Sequence, residues 1–372
     1  MRAAVYYGAG DVRVEEVPAP RPATGELLLE VLAVGICGTD AGQFAHGPSM
    51  FPVDRRHPHS GHLGPLVPGH ELAGRVVDMG DGVEGFAAGE VVACAGTVWC
   101  GTCRRCHAGR TNLCERAWSV GLHRNGGLAE LCAVPAKSCA PIAPHGLTAD
   151  AAALAQPMAI AAHAAGRGKP ATGEHALVLG VGGVGTFITW VLAQADITTT
   201  VCDLDSARLA VAKTLGAAAA LQAERGGLVT ALGELPVPPD VIYEVTGSEE
   251  GLAAAVAMVG AGGRVVVVGH QHGLEPPVNW LQFALHELTV IGTQALVCPT
   301  DLPEALRLLA ARPASWADLA PTALPLDRLV DDGLAPLAKG CPAQIKTLVD
   351  PRAERPRATR MEHMGTPVGE VE

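Results

Sequence analysis

Cys100, Cys103, Cys106 and Cys114 stand at the spacing C-x2-C-x2-C-x7-C. Four thiolates this close along a chain can reach one tetrahedral Zn²⁺, a borderline-soft ion with no redox change to make. The stretch between Trp99 and Trp118 contains Gly101, Arg104, Arg105, His107, Gly109, Arg110 and Asn112, with almost nothing apolar to bury. A metal is the natural way to hold such a lobe, and the tight spacing is a metal signature rather than a framework of two disulfides. Four protein ligands leave no open coordination position, so this site is expected to be structural, and it names no reaction.

A second pattern points to a nucleotide. Gly180-Val181-Gly182-Gly183-Val184-Gly185 follows the apolar run Ala176–Leu179 and opens a helix expected over Thr186 to Ala195. In that setting a G-x-G-x-x-G reads as a dinucleotide loop. Gly180 permits the tight turn, Gly182 lets a pyrophosphate approach the backbone, and Gly185 lets helix and strand pack closely. The helix N-terminus adds unpaired N–H groups for the anion. Asp203, eighteen residues beyond Gly185, ends the next strand. A carboxylate there accepts hydrogen bonds from the adenosine ribose and repels a 2′-phosphate, which favours NAD over NADP. Arg208 is expected to stack on adenine or support Asp203, and it leaves room for NADP. Thr246-Gly247 and Gly269-His270 follow the next two strands, at the edge where the nicotinamide half would lie.

Two further fragments carry reactive side chains. Gly35-Ile36-Cys37-Gly38-Thr39-Asp40 offers a thiolate with a hydroxyl two residues on, and Pro68-Gly69-His70-Glu71 offers an imidazole and a carboxylate. With the cysteine quartet and the glycine-rich loop, in this order, they resemble the zinc-dependent medium-chain alcohol dehydrogenase family over residues 1 to 350. The stretch Phe51 to His59 and the ending Leu326 to Leu334 look closest to its 2,3-butanediol and polyol dehydrogenase branch. The resemblance implies an α/β protein: a GroES-like β-rich catalytic domain plus a Rossmann domain with a doubly wound parallel sheet. It also implies two Zn²⁺ per chain. One would be catalytic, held by Cys37 and His70 with Glu71 as a third, exchangeable ligand, and the other structural, held by the quartet. The two ligand charges from Cys37 and Glu71 would neutralise the ion and leave one position for water or substrate oxygen. Thr39 would hydrogen-bond that oxygen and carry its proton away. The chain departs from the family at two places. Where many relatives have a relay histidine it has Gly42, with His46 near in sequence. Where related diol dehydrogenases have Glu before Pro157 it has Gln156. Loss of that carboxylate is expected to leave the ion a stronger Lewis acid.

These residues need a scaffold, and the chain's texture supplies one. Residues 1–150 read as β-rich, with strands expected at Leu27–Val34, Leu72–Met79, Glu90–Ala95 and Ala129–Val134. The histidine- and proline-rich stretch Phe44–Pro68 reads as a long loop lining a pocket entrance. From 151 to 296 strands and helices alternate, with one helix expected over Ala151–Ala165 and an edge strand at Leu288–Ile291. Residues 297–350, with a helix at Leu302–Ala311, complete the first domain. The segment 351–372 is expected to be a mobile tail, or to dock on a neighbouring subunit.

Bulk composition narrows the classes. The chain has 372 residues, 48% hydrophobic, with 27 Lys+Arg against 38 Asp+Glu and a net charge of −11. That argues against nucleic acid and anionic membranes as partners. The start reads directly as strand without an export signal, and no apolar run reaches membrane-spanning length. A reducing cytoplasm suits the 11 cysteines, of which Cys94, Cys132, Cys139, Cys202, Cys298 and Cys341 read as small buried hydrophobes. The leading expectation is an NAD-dependent dehydrogenase of small-molecule secondary alcohols or the matching ketones, assembled as a homodimer or homotetramer. A biosynthetic ketone or imine reductase on the same scaffold and a non-catalytic nucleotide-binding subunit are the alternatives.

Overall fold

The computed structural model describes residues 1–269 and 278–362. The chain divides into two units, Met1–Ala159 with the chain from Leu296 onward, and Ile160–Ala295. The first is built on an eight-stranded sheet. Its order is Arg357–Ala358, Thr322–Leu324, Leu348–Val349, Glu26–Gly35, Glu71–Met79, Val91–Cys94 and Cys139–Pro141, with Leu131–Pro135 also paired to Glu26–Gly35. Glu26–Gly35 is the hub because Leu27, Leu29, Val31 and Ala33 alternate into a fully buried face. Leu27, Leu29 and Val31 pack with Leu72, Val76, Val92, Leu128 and Val134.

Long non-local pairings set the register of this unit. Gly35 lies opposite both Glu71 and Leu348, so residues far apart in sequence arrive side by side. The stretch after helix Gly38–His46 has no long regular element, in keeping with the expected loop. It is pinned by Tyr6, Phe51 and Leu66, all buried, with the Tyr6 and Phe51 rings edge-on at 4.9 Å. The anticipated Leu302–Ala311 helix begins earlier, at Cys298, and ends at Ala310.

The second unit carries a six-stranded parallel sheet in the order Ala219–Gln222, Thr198–Asp203, His175–Leu179, Val241–Glu244, Arg264–Val267, Thr289–Gly292. This is the doubly wound arrangement, with its switch point between the third and fourth strands of that order. Leu177, Leu179, Ile242, Val265 and Ala255 form its core.

Three expectations are corrected. The single helix over Ala151–Ala165 is two, Ala149–Ala152 and Ala155–Gly168. Pro157 falls in the first turn of the second, where a missing N–H costs nothing. The tail from residue 351 is attached to the first unit as far as Met361. Arg357–Ala358 pairs with Thr322–Ala323. The Arg357 guanidinium binds Asp150 and Asp350, each at 2.7 Å, and Met361 is buried. Sequence composition hid this anchor because Arg357 finds its carboxylate about two hundred residues away. Residues 363–372 lie outside the described residues. Cys341 is exposed rather than buried, and Cys139 is only half-buried.

Candidate functional site

The quartet comes together as the spacing implies. Cys100, Cys103, Cys106 and Cys114 place their sulfurs within 4.8 Å of one another. Sulfur–sulfur distances are 3.9 Å for Cys100–Cys106, 3.6 Å for Cys103–Cys106 and 3.9 Å for Cys103–Cys114. Zn–S bonds of about 2.3 Å give tetrahedron edges of ~3.8 Å, so the cradle has the right size for zinc. Backbone donors complete it: Thr102 N–H donates to the Cys100 sulfur at 3.4 Å and Arg116 N–H to Cys114 at 3.3 Å. Two of the thiols are driven apart. The Thr102 N–H holds Cys100 down at about 5, while burial and the Cys103 thiol push Cys106 up to about 12. A divalent ion removes that conflict by binding all four as thiolates.

The second cluster joins Cys37, His70 and Glu71, whose ligand atoms also lie within 4.8 Å of one another. Cys37 immediately precedes helix Gly38–His46, which puts its sulfur at the positive end of the helix dipole. Thr39 follows in the first turn, its Oγ1 3.8 Å from the Cys37 sulfur. His70 and Glu71 sit at the start of strand Glu71–Met79, both buried.

Sequence reasoning gave no role to two residues that the fold brings here. Asp40 is buried; its Oδ2 accepts the Cys37 N–H at 2.9 Å, and its Oδ1 faces His70 Nδ1 at 3.5 Å. One carboxylate therefore orients both a sulfur and an imidazole. Oδ1 and Nδ1 are both buried and have no other hydrogen-bond partner, so each is the nearest polar group available to the other. Burial opposes the His70 imidazolium, but Asp40 and Cys37 overcome it and raise its pKa well above the ordinary value.

The other residue is Lys346. Its Nζ lies 2.5 Å from Glu71 Oε2 and donates to the Ile36 carbonyl at 3.1 Å, with both side chains almost fully buried. Burial works against the ammonium, yet Glu71 and Cys37 leave its pKa above the usual lysine value. Gly35 is required for this pair, because a Cβ there would meet Glu71 Oε2 at 2.2 Å. The charge balance drawn from Cys37 and Glu71 alone is thus revised: Lys346 offsets Glu71. Gln156 is buried, and its Oε1 has no partner.

In the second unit, Gly180 has a φ of +88° and lies against Thr246, and a Cβ on Gly185 would strike the Gly180 carbonyl at 1.9 Å. Gly182 caps helix Gly183–Gln194, whose first turn holds Gly183, Val184 and Gly185. A Cβ on Gly182 would meet nothing nearer than Arg208 at 4.0 Å, so open space lies over the helix N-terminus, as a pyrophosphate needs. Asp203 accepts the Val181 N–H at 2.8 Å and the Asp205 N–H at 3.0 Å. Arg208 is 4.0 Å from Asp203 and 3.9 Å from Asp205, which is the supporting placement rather than a distant one. Gly269 packs on Gly247, next to Thr246, at the same edge. His270 lies outside the described residues. Glu244, fully buried, was also missed: it accepts from the N–H groups of Thr246 and Gly247 and so shapes this turn.

Residues 23–144 match the alcohol dehydrogenase GroES-like domain, and residues 183–311 match the zinc-binding dehydrogenase domain. The chain belongs to the zinc-binding alcohol dehydrogenase family. A 2-dehydro-3-deoxy-L-galactonate 5-dehydrogenase from Pseudoalteromonas atlantica is 31% identical over 358 residues, 95% of this chain and all of that protein. The crystal structure of 2R,3R-butanediol dehydrogenase from Bacillus subtilis aligns with TM-score 0.84 at 29% identity, covering 94% of this chain and 99% of that one. A zinc-binding dehydrogenase from Sinorhizobium meliloti bound to NADP aligns at 0.82 and 28% identity, with coverages of 94% and 99%. The chain is accordingly a zinc-dependent oxidoreductase acting on CH–OH groups with a nicotinamide dinucleotide. Among the described residues no helix is long and apolar enough to cross a membrane.

Proposed function

We propose that this dehydrogenase passes hydride between a secondary alcohol with a neighbouring oxygen function (a vicinal diol, polyol or hydroxyketone) and NAD. The observation that carries the reading is the convergence of Cys37, His70 and Glu71 within 4.8 Å, with Thr39 beside them. Zinc bound by these residues would act as a Lewis acid on the alcohol or carbonyl oxygen. Thr39 holds the substrate hydroxyl and accepts its proton. Gly42 can neither accept nor pass a proton, and a Cβ there would meet nothing within 4 Å, so this position adds no side chain to a relay from Thr39. Asp40 keeps Cys37 and His70 oriented throughout. We assign the metal centre to residues 1–150 completed by 297–350, and the cofactor to 151–296. Gly42 and Gln156 also favour the second reading, a reductase working from ketone or imine to product.

Asp203 supports NAD as the cofactor. Its carboxylate is fixed by two backbone N–H groups and stands where a 2′-phosphate would repel it. Replacing Asp203 with Ser is expected to shift the NADP-to-NAD ratio of kcat/KM by about 100-fold, or ~3 kcal/mol. The test is a panel of diols, polyols and their ketones with both cofactors, followed at the absorbance of reduced nicotinamide. Zinc-loaded protein inert toward the whole panel would remove the alcohol reading, and an unmoved cofactor ratio would remove the role of Asp203.

We further propose a two-fold assembly through the edge strand Thr289–Gly292. Val290 on that strand is exposed, as are Trp280, Leu281 and Leu285 on the neighbouring helix. Val290→Lys should convert the particle to monomer in analytical ultracentrifugation; wild-type sedimentation as a monomer would discard the assembly. The metal thiolates and remaining free thiols suit a reducing compartment, and we place the enzyme in the cytoplasm.

A further inference from the structure

We propose that the alcohol substrate carries an acidic group, a carboxylate or a phosphate, and that Arg55 and Arg56 bind it in a cleft on the loop that follows helix Gly38–His46. This rests on the dehydrogenase reading above and narrows its substrate class. The cleft, about 680 Å³, is lined by residues 48–58, including Phe51, Asp54, Arg55, Arg56 and His57.

Its floor is hydrogen-bonded to the helix that carries Thr39. Gln43 lies one helical turn beyond Thr39, and its Oε1 accepts the N–H groups of Ser49 and Met50, both at 2.9 Å. Its Nε2 donates to Ser49 Oγ at 2.7 Å. The loop is therefore strapped to the helix that begins after Cys37. On the other side, the His57 ring stacks on His123 with centroids 4.3 Å apart. The Ser60 hydroxyl donates to the His123 carbonyl at 2.5 Å, which fastens this side of the loop as well.

The cleft holds two adjacent arginines in a chain of net negative charge. The protein carries a net charge of −11, and Arg2, Arg75, Arg124, Arg264, Arg312 and Arg357 all pair with carboxylates. Arg55 and Arg56 are exposed and form no ion pair among the described residues. Arg56 uses one N–H on the Gly61 carbonyl at 2.6 Å, which aims the guanidinium and leaves its other donors free. His57 accepts N–H groups from His59 and Ser60 through Nδ1, and burial keeps its ring neutral, so it offers a hydrogen bond and not a charge. Against two guanidiniums stands one acid, Asp54, which supplies an acceptor for a substrate hydroxyl. Forked guanidinium donors match the planar oxygens of a carboxylate or phosphate, whereas a neutral diol would leave them unused.

The test compares erythritol, erythronate and erythritol 4-phosphate, which share a polyol body and differ in the terminal group. For zinc-loaded wild type, kcat/KM is expected to be at least tenfold higher for one of the two anions than for erythritol. In Arg55→Gln/Arg56→Gln that ratio should collapse at least tenfold, mainly through KM. Calorimetry of the same anions binding the NADH-loaded enzyme gives a second readout that needs no turnover. The preferred anion identifies the source, carboxylate or phosphate. Erythritol oxidised as well as both anions, or an anion ratio unmoved in the double variant, overturns the acidic substrate while leaving the dehydrogenase reading intact. Anion binding lost in the double variant, with none of the three oxidised, supports the cleft and instead sinks the alcohol reading.

Discussion

Replacing Cys37 with Ala is expected to lower kcat at least ~1,000-fold and to reduce bound zinc from about two ions per chain to about one. Cys37 is one of three donors that converge within 4.8 Å, and it is the sole sulfur among them. Without it the remaining donors are His70 and a Glu71 that Lys346 already engages at 2.5 Å. A Lewis acid at the reacting oxygen supplies several kcal/mol, and ~4 kcal/mol is about three decades in rate. The quartet near Cys100 should keep its ion, because its four sulfurs form a separate group. Metal analysis of the purified variant, with circular dichroism to confirm the fold, makes the check. Two zinc ions and a near-normal rate in Cys37→Ala would mean that Cys37 is only a helix-capping thiol and that the chemistry lies elsewhere.

Replacing Lys346 with Met should cost about 3–5 kcal/mol of stability. The variant removes the ammonium from a Glu71 carboxylate that is almost fully buried. Adding Glu71→Gln removes the stranded charge, and most of the loss should be regained, since a buried pair contributes little net stability while half a pair is strongly destabilising. Urea unfolding followed by tryptophan fluorescence reports this directly, because Trp316 is fully buried in the same unit. Equal losses in the single and double variants would show that Lys346 acts through packing of its carbon chain and not through Glu71.

The parts of this enzyme that were legible in its sequence are those whose partners are close along the chain. The quartet spans Cys100 to Cys114, and the cofactor loop spans Gly180 to Gly185, so local spacing alone restricts what they can hold. The strand before that loop, read at Ala176–Leu179, and the edge strand, read at Leu288–Ile291, were found to within one residue at each end, because buried parallel strands are short apolar runs between glycines. Local pattern failed where a partner is remote. Arg357 looks like a tail residue until Asp150 is beside it, and Lys346 looks like a surface lysine until strand Leu348–Val349 lays it against Gly35 and Glu71. Asp40 was in view within its motif, but its task of orienting both Cys37 and His70 depends on a neighbour thirty residues on.

Residue type and spacing by themselves determined the kind of chemistry: thiolates for zinc, glycines for a pyrophosphate, a carboxylate for ribose. Tertiary structure alone decided which charges share a buried space, namely Lys346 with Glu71 and Asp40 with His70. Coulomb interactions in a desolvated interior depend on separations of a few ångströms, and those are fixed by sheet register between segments that the linear sequence keeps far apart.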